Sequence, residues 1–455
     1  TAPTVGTRLL GRTAGYMDLS VWSFGPYPTV PLDRKELDLD HPRADRFLLV
    51  SIDSWRYDAL GRTNPELNTP KFDHLTRDYG LAERFFVTAP ATRPSHASLF
   101  TGLYPFEHGL CGQTYLKMFG GIPNLFQLLS EAGYAVTARS ERPEVFRFLD
   151  FEPFIRPFDP TADHQHLGSL EQLIAALREP ETGPRFCFLH FWYTHGGYGM
   201  GGIPGAPDLK ELVGDGRAEE ALRFYYAAAT HVLEFVLVEI LKQLSLDRWA
   251  IFIFGDHGEG ICPEVMSHGD CLHENVVRVP LLAHVPSLGG VNFPAGPSSM
   301  IDLYPTIARL AGLPLDYEGY GRDLLAPSPT AKSKRWVLTE LDSLYGVGFL
   351  HPGNLQTAHQ RVTSRIAIDD AELARAEGGT RMWSISDGRE FYRQQERSGE
   401  FVLRNVVTGQ PLPCPDPDLY RNAYRDILHG SRYRDQQVQE SSSAEERVLE
   451  ERLRD

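Results

Sequence analysis

Cysteine is scarce in this 455-residue chain, and its five cysteines, Cys111, Cys187, Cys262, Cys271 and Cys414, include no Cys-x-x-Cys pair. An odd number at such spacing argues against a disulfide framework and for a reducing compartment. Long apolar runs are also missing. The best stretch, Val232 to Leu241, is short and interrupted by Glu234 and Glu239, so it reads as a buried amphipathic helix and no membrane span is expected. Residues 1–30 carry Gly, Pro, Arg and Asp where a secretory leader needs a continuous apolar core. A cytoplasmic protein is therefore expected, unless a leader was trimmed ahead of Thr1. Positive charge is in deficit: 45 Lys and Arg stand against 60 Asp and Glu, a formal net charge of −15. That balance argues against nucleic acid or an anionic membrane as the main partner. It leaves room for a small anionic ester substrate, because a bound divalent metal sets the field of its own site. A homo-oligomer is compatible with everything in the sequence.

Three short apolar runs are present, and each ends in polar residues. Phe47 to Ile52 ends in Asp53, Arg185 to Trp192 ends near His195, and Trp249 to Gly255 ends in Asp256-His257-Gly258-Glu259. They read as buried parallel strands. Helical patterns lie between them, at Ile122 to Ala132 and Ala218 to Leu244. The alternation predicts an α/β fold: a doubly wound, mostly parallel sheet flanked by helices, with ligands beyond the carboxyl ends of its strands. Residues 1–45 read as an N-terminal arm, 46–330 as the catalytic domain, and 331–455 as a smaller C-terminal α+β subdomain. Short strands are expected there at Arg335 to Leu341, Arg361 to Ile368, Arg381 to Ile385 and Phe401 to Val407, with a terminal helix at Ser443 to Leu453.

Asp53, Thr92, Asp256 and His257 would make a compact metal site. Carboxylates with one imidazole and one hydroxyl suit a hard or borderline divalent ion. Adjacent strand residues point to opposite faces, so Asp256 and His257 reach one ion only where the strand ends. Gly255 and Gly258 flank the pair and are expected to permit that turn. An ordinary strand-end turn with a satisfied His explains this pair, taken alone, about as well.

The segment Thr92-Arg93-Pro94-Ser95-His96-Ala97-Ser98-Leu99-Phe100-Thr101-Gly102-Leu103-Tyr104-Pro105 resembles the signature of sulfatase-like enzymes. With Leu49 to Leu60, His190 to Gly197, Gly255 to Glu259, and His268-Gly269 followed by His273 to Leu282, it is similar to the sulfatase-like branch of the alkaline phosphatase superfamily. The resemblance implies that branch's fold and a metal-dependent ester-cleaving site. It implies Asp53, Thr92, Asp256 and His257 as ligands of one divalent ion; the imidazole among them favours Mn or Zn, with Mg or Ca as alternatives. It places Thr92 as nucleophile, His96 and His195 at the non-bridging oxygens, and His268 or His273 as proton donor to the leaving oxygen.

The departures set the chemistry. Thr92 stands where the branch has a Cys or Ser that is oxidised to an aldehyde. A Thr would oxidise to a ketone, so Thr92 must act as a plain hydroxyl. Ser54 follows Asp53 where many sulfatases have a second Asp, His96 replaces Arg, and the region of Asp270 and Cys271 lacks the expected Lys. No convincing Asp-x-x-x-His follows Thr92 to build a second metal site, since Asp159 is followed by Asp163-His164. The leading reading is a hydrolase of phosphate or phosphonate esters that passes through a covalent Thr ester. Its rivals are a phosphoethanolamine-like transferase, a sulfate-ester hydrolase with unmodified Thr, and a catalytically silent metal-binding protein.

Overall fold

The computed structural model describes residues 43–431, apart from 159–170, 178–182, 199–206, 327–333, 343–380 and some shorter stretches. Most of the N-terminal arm, the expected strand at Arg361 to Ile368, the terminal helix at Ser443 to Leu453, and Asp159, Asp163 and His164 lie outside the described residues.

The sheet strands are β1 (Arg46–Ile52), β2 (Gly80–Leu81), β3 (Phe85–Phe86), β4 (Ala135–Ser140), β5 (Ile155–Pro157), β6 (Arg185–Phe191) and β7 (Ala250–Gly255). They continue with β8 (Gly260–Cys262), β9 (Val265–Ser267), β10 (Leu281–His284), β11 (Ser298–Ser299), β12 (Val337–Asp342), β13 (Arg381–Ser386), β14 (Glu390–Gln395) and β15 (Phe401–Asn405). The helices used below are α1 (Thr92–Thr101), α2 (Pro105–His108), α3 (Ala218–His231) and α4 (Pro417–Gly430).

Seven strands form the main sheet in the order β2-β10-β7-β1-β6-β4-β5. β1 pairs in parallel with both β6 and β7, and β10 runs antiparallel to β7. The doubly wound expectation holds, with β10 as the antiparallel member. Strand periodicity explains why both faces are covered. Phe47, Leu49, Phe186, Phe188, Phe252 and Phe254 belong to one core, whereas Leu48, Val50, Cys187, Leu189, Ile251 and Ile253 belong to the other. The second core contains α3, which runs on through a π-helical turn at Val232–Leu237 and a last α-helical turn at Val238–Leu241. This 24-residue run has the length and hydropathy to cross a membrane, yet most of it is buried against the sheet. Its interrupting Glu234 is buried and accepts the Lys71 and Phe72 amides at 2.8 and 2.9 Å, capping the helix Pro70–Leu75.

β12 to β15 form an antiparallel four-stranded sheet with α4 packed through Tyr420 and Tyr424 against Tyr392 and Trp383. β14 and α4 were not anticipated. This sheet is tied to the segments on either side of α1. The Glu340 amide donates to Thr88 O at 2.9 Å, Leu338 N donates to the Tyr104 hydroxyl at 3.2 Å, and Phe106 N donates to Glu340 Oε1 at 2.6 Å.

Glu107 on α2 sits in this seam, fully buried, accepting Tyr104 N at 2.8 Å and the Ser431 hydroxyl at 2.5 Å. Burial, with a smaller push from Glu340, raises its carboxyl to about 7. An unfolded Glu titrates near ~4.3. Between those values the folded chain keeps a proton that the unfolded chain has lost, so stability falls as pH rises through the window. Urea unfolding at pH 5 and pH 7.5 should show this loss, on the order of 3 kcal/mol, and Glu107→Gln, which mimics the protonated carboxyl, should flatten it.

Candidate active site

The site forms where the three central strands end. Register sets Ile52 beside Phe191 on one side and Gly255 on the other. Asp53 and Asp256, one residue beyond, therefore emerge in the same row. The chain then turns sharply. Ser54 has φ 58, the only positive φ of a non-glycine residue among those described. That conformation aims its amide at Asp256 Oδ1, 3.1 Å away, and its hydroxyl at Asp53 Oδ1, 2.9 Å away. The Tyr225 hydroxyl of α3 holds the strained residue by donating to Ser54 O at 2.7 Å. Thr194 donates to Asp53 O.

The flanking glycines act differently from the expectation. Neither Gly255 nor Gly258 has positive φ. They are needed for space: a Cβ at Gly255 would lie 2.5 Å from Trp55 O, and one at Gly258 would run into Asn275 O. This close packing lets the 255–258 turn sit against both neighbouring segments.

Thr92 is the first residue of α1, a helix buried along its whole length. Its Oγ1 donates to Asp53 Oδ2 at 3.0 Å and lies 3.3 Å from His257 Nε2. His257 Nδ1 lies 2.9 Å from Gly258 O. A carbonyl oxygen only accepts, so Nδ1 carries the proton and Nε2 presents its lone pair to the cluster. Nε2 is 3.8 Å from Asp53 Oδ1 and 3.7 Å from Asp256 Oδ2. Asp256 Oδ1 accepts the Ser54 and His257 amides, while Oδ2 is buried with no hydrogen-bond partner.

These residues fit a divalent cation. Asp53, Asp256 and His257 each offer a ligand atom within 4.8 Å of the others, all buried. Without a cation the two carboxylates cannot both ionise easily. Burial, with repulsion from Asp53, pushes Asp256 well above the carboxylate range. Burial also opposes charge on Asp53, but His195, His190 and His257 hold it well below that range. Burial lowers His257 to about 4, which keeps it a neutral ligand.

The remaining imidazoles divide into three groups. His268 Nδ1 is 2.9 Å from Glu259 Oε2, and its ring stacks on His257 with centroids 4.5 Å apart. Burial disfavours its charge, but Glu259 raises its pKa above the usual value. His195 meets His268 edge-on at 4.8 Å and stacks on Trp192 at 3.9 Å, and burial lowers it to about 3. Both rings stand beside the cluster. His96 does not face a substrate position. It lies wholly buried beneath α1, with Nδ1 donating to Thr92 O at 2.7 Å and Nε2 2.9 Å from the Ser51 hydroxyl. An imidazole is too short to leave the space under the helix, so both nitrogens are used internally. His273 is likewise drawn into structure. It is the N-cap of the helix Glu274–Val277, accepting Asn275 N at 3.2 Å, with Glu274 3.8 Å away.

Sequence reasoning gave no role to His190 of β6, whose Nε2 is 3.4 Å from Asp53 Oδ2. Its signal was parity: His190 shares a face with Phe186 and Phe188 and pairs with Ser51 across β1. The bond between Glu259 and His268 joins residues nine apart and has no signature in a linear motif.

Comparison with known proteins bears on this arrangement. The Sulfatase family profile matches residues 45–313. The steryl-sulfatase of Mus musculus is 33% identical over 105 residues, 21% of this chain and 17% of that protein, so the match spans under a fifth of its length. A phosphonate monoester hydrolase of Agrobacterium radiobacter superposes with TM-score 0.59 at 16% identity, over 88% of this chain and 95% of that one. A 2-O GAG sulfatase superposes with TM-score 0.60 at 16% identity, over 87% and 92%.

Metal analysis tests the assignment of ligands. Purified protein reconstituted with Mn or Zn and then desalted should retain about one ion per chain by mass spectrometry. Asp256→Ala should retain little, and two tightly held ions would contradict the single-ion site.

Proposed function

The chain belongs to the sulfatase family, and from this we propose a metal-dependent hydrolase of phosphate or phosphonate esters whose nucleophile is the Thr92 hydroxyl. One observation carries the reading: Thr92 Oγ1 lies within 3.3 Å of both Asp53 Oδ2 and His257 Nε2 at the start of a buried helix. Asp53, Asp256, His257 and Thr92 would hold the divalent ion. When bound, such an ion supplies Lewis-acid stabilisation of negative charge at neutral pH.

The protein's own groups account for the other requirements. The α1 N-terminus turns its positive dipole end toward a bound anion. The Thr92 hydroxyl hydrogen points to Asp53 Oδ2, the nearest carboxylate oxygen. The Thr92 hydroxyl passes its proton by way of Asp53 Oδ2 to solvent, its oxygen attacks phosphorus as the bond to the leaving oxygen breaks, and His268 gives that leaving oxygen a proton. Water then cleaves the Thr ester, releasing the phosphoryl group and restoring the hydroxyl. A small anionic ester fits a site of neutral imidazoles with one raised His. Phosphorus is favoured over sulfur because the aldehyde route is closed to Thr and the Lys and Arg of the sulfatase pattern are missing.

Thr92→Ala should keep the fold and lower turnover by several powers of ten, read with aryl phosphate, phosphonate and sulfate esters under added Mn, Zn, Mg or Ca. Thr92→Ser should retain part of the rate, since the oxygen stays but the rotamer restraint of a β-branched chain is lost. Full activity in Thr92→Ala, or an adduct mapped by mass spectrometry to Ser95, would sink the mechanism.

A second expectation concerns the acid. His268→Ala should slow alkyl esters, whose leaving oxygen needs a proton, far more than nitrophenyl esters, whose leaving group does not. Equal slowing of both would remove His268 from that role.

A further inference from the structure

Among the buried polar atoms near the cluster that close no hydrogen bond are Asp256 Oδ2 and His190 Nε2. The first faces the ion site. The second has no place in the reaction described above.

His190, His96 and Asp256 lie close enough to suggest a second ion beside the first. The donor accounting closes that option. His96 Nδ1 must carry its proton, because its partner is the carbonyl of Thr92, 2.7 Å away. Its Nε2 then accepts from the Ser51 hydroxyl at 2.9 Å. Both nitrogens are committed, so His96 has no lone pair to offer.

What remains for His190 follows from its other nitrogen. Nδ1 lies 2.9 Å from Ser140 Oγ, at the end of neighbouring β4, where Ser140 and His190 pair in register. Ser140 Oγ also accepts the Arg142 amide at 3.0 Å. If His190 carried its proton on Nδ1, the Nε2 lone pair would oppose the Asp53 carboxylate across 3.4 Å. The opposite tautomer gives an unbroken direction. Arg142 N–H donates to Ser140 Oγ, the Ser140 hydroxyl donates to His190 Nδ1, and His190 Nε2–H faces Asp53 Oδ2. That same oxygen receives the Thr92 hydroxyl from the other side at 3.0 Å. Ser51, on the strand between, keeps His96 in the adjoining row.

We propose that His190 is a positioning residue for the metal site, fixing the Asp53 carboxylate through a donor chain that starts at Ser140; this rests on the metal-dependent reading above. It never touches substrate. Its work is to hold one oxygen of Asp53 toward Thr92 while the carboxylate keeps its place as ligand. Outer-shell partners of this kind commonly change metal affinity by about 10–100-fold.

The test is calorimetric titration of chelator-stripped full-length protein with Mn and, separately, Zn. His190→Ala should weaken binding by ~10–100-fold. His190→Gln, whose side-chain amide keeps a donor, should recover most of the affinity. Ser140→Ala should weaken binding several-fold with the imidazole in place. A merely structural role would instead lower the metal-free thermal midpoint and leave affinity alone. Wild-type affinity in Ser140→Ala or His190→Ala, or a loss in His190→Gln as large as in His190→Ala, would overturn the proposal. If His190→Ala does not fold, the Gln and Ser140 variants decide it. Asp256→Ala separates the two layers: unchanged affinity there overturns the metal site itself, whereas unchanged affinity confined to the His190 and Ser140 variants overturns only this inference.

Discussion

Two carboxylates, Asp53 and Asp256, stand fully buried within reach of one another, and the local structure is arranged around that conflict. Burying one unpaired carboxylate is costly, and burying two together adds repulsion. The chain offsets part of this with fixed donors. Asp256 Oδ1 takes two backbone amides, and Asp53 takes the hydroxyls of Ser54 and Thr92. The strained φ of Ser54 belongs to the same arrangement, since it is what turns the Ser54 amide toward Asp256. Strain of this kind persists where surrounding contacts hold it, and here Tyr225 does so. What is left over, the buried and unpartnered Asp256 Oδ2, is the demand for a cation.

The fold delivers these groups by register. Because β1 lies between β6 and β7 in parallel, three strand ends finish in one row, and acids one residue past two of them meet without any long loop. Thr92, the proposed nucleophile, comes from outside the sheet, on α1, and its placement depends on packing at both ends. Beneath, His96 binds the Thr92 carbonyl and packs edge-on against Phe146 and Phe188. Beyond its far end, α2 is fastened to the antiparallel sheet through Glu340 and Ser431. The C-terminal sheet thus acts as a clamp on the segment that carries Thr92.

The parts of this arrangement readable from sequence are those whose signal is local. Apolar runs ending in Asp marked β1 and β7, and the Thr92 segment carried the family resemblance. Roles decided by tertiary contacts were not readable. His96 and His273 both stand in motifs that suggest catalysis, yet one is consumed under a helix and the other caps one. A motif gives the residue type, while the partner that uses up its nitrogens lies 45 residues away in the first case. His190 shows the converse, since inside an apolar strand it resembled core until its register partners were known. β14 escaped notice because Glu390–Gln395 is rich in polar residues, and only pairing on both sides makes it a strand. α4 was missed because its apolar stripe is largely tyrosine, which packs on Trp383 and Tyr392 while leaving the outer face charged.

The imidazoles argue for a division of labour that composition could not suggest. His96, His195 and His257 are each pushed down by burial, while His268 alone of these four is raised, because Glu259, Asp53 and Asp270 together outweigh the cost of its burial. Sites that separate the pKa values of like groups assign acid and ligand roles in that way. A neutral His257 suits coordination, and His268, stacked on it and holding its proton more tightly than a free imidazole, suits proton donation. Glu259, two residues after His257 in the same turn, is therefore what distinguishes the two rings. The Asp256-His257-Gly258-Glu259 run thus supplies two ligands, the space for a close turn and the charge that sets the neighbouring acid. The proposed threonine nucleophile requires that economy, since a Thr hydroxyl brings little reactivity of its own and every increment must come from the groups placed around it.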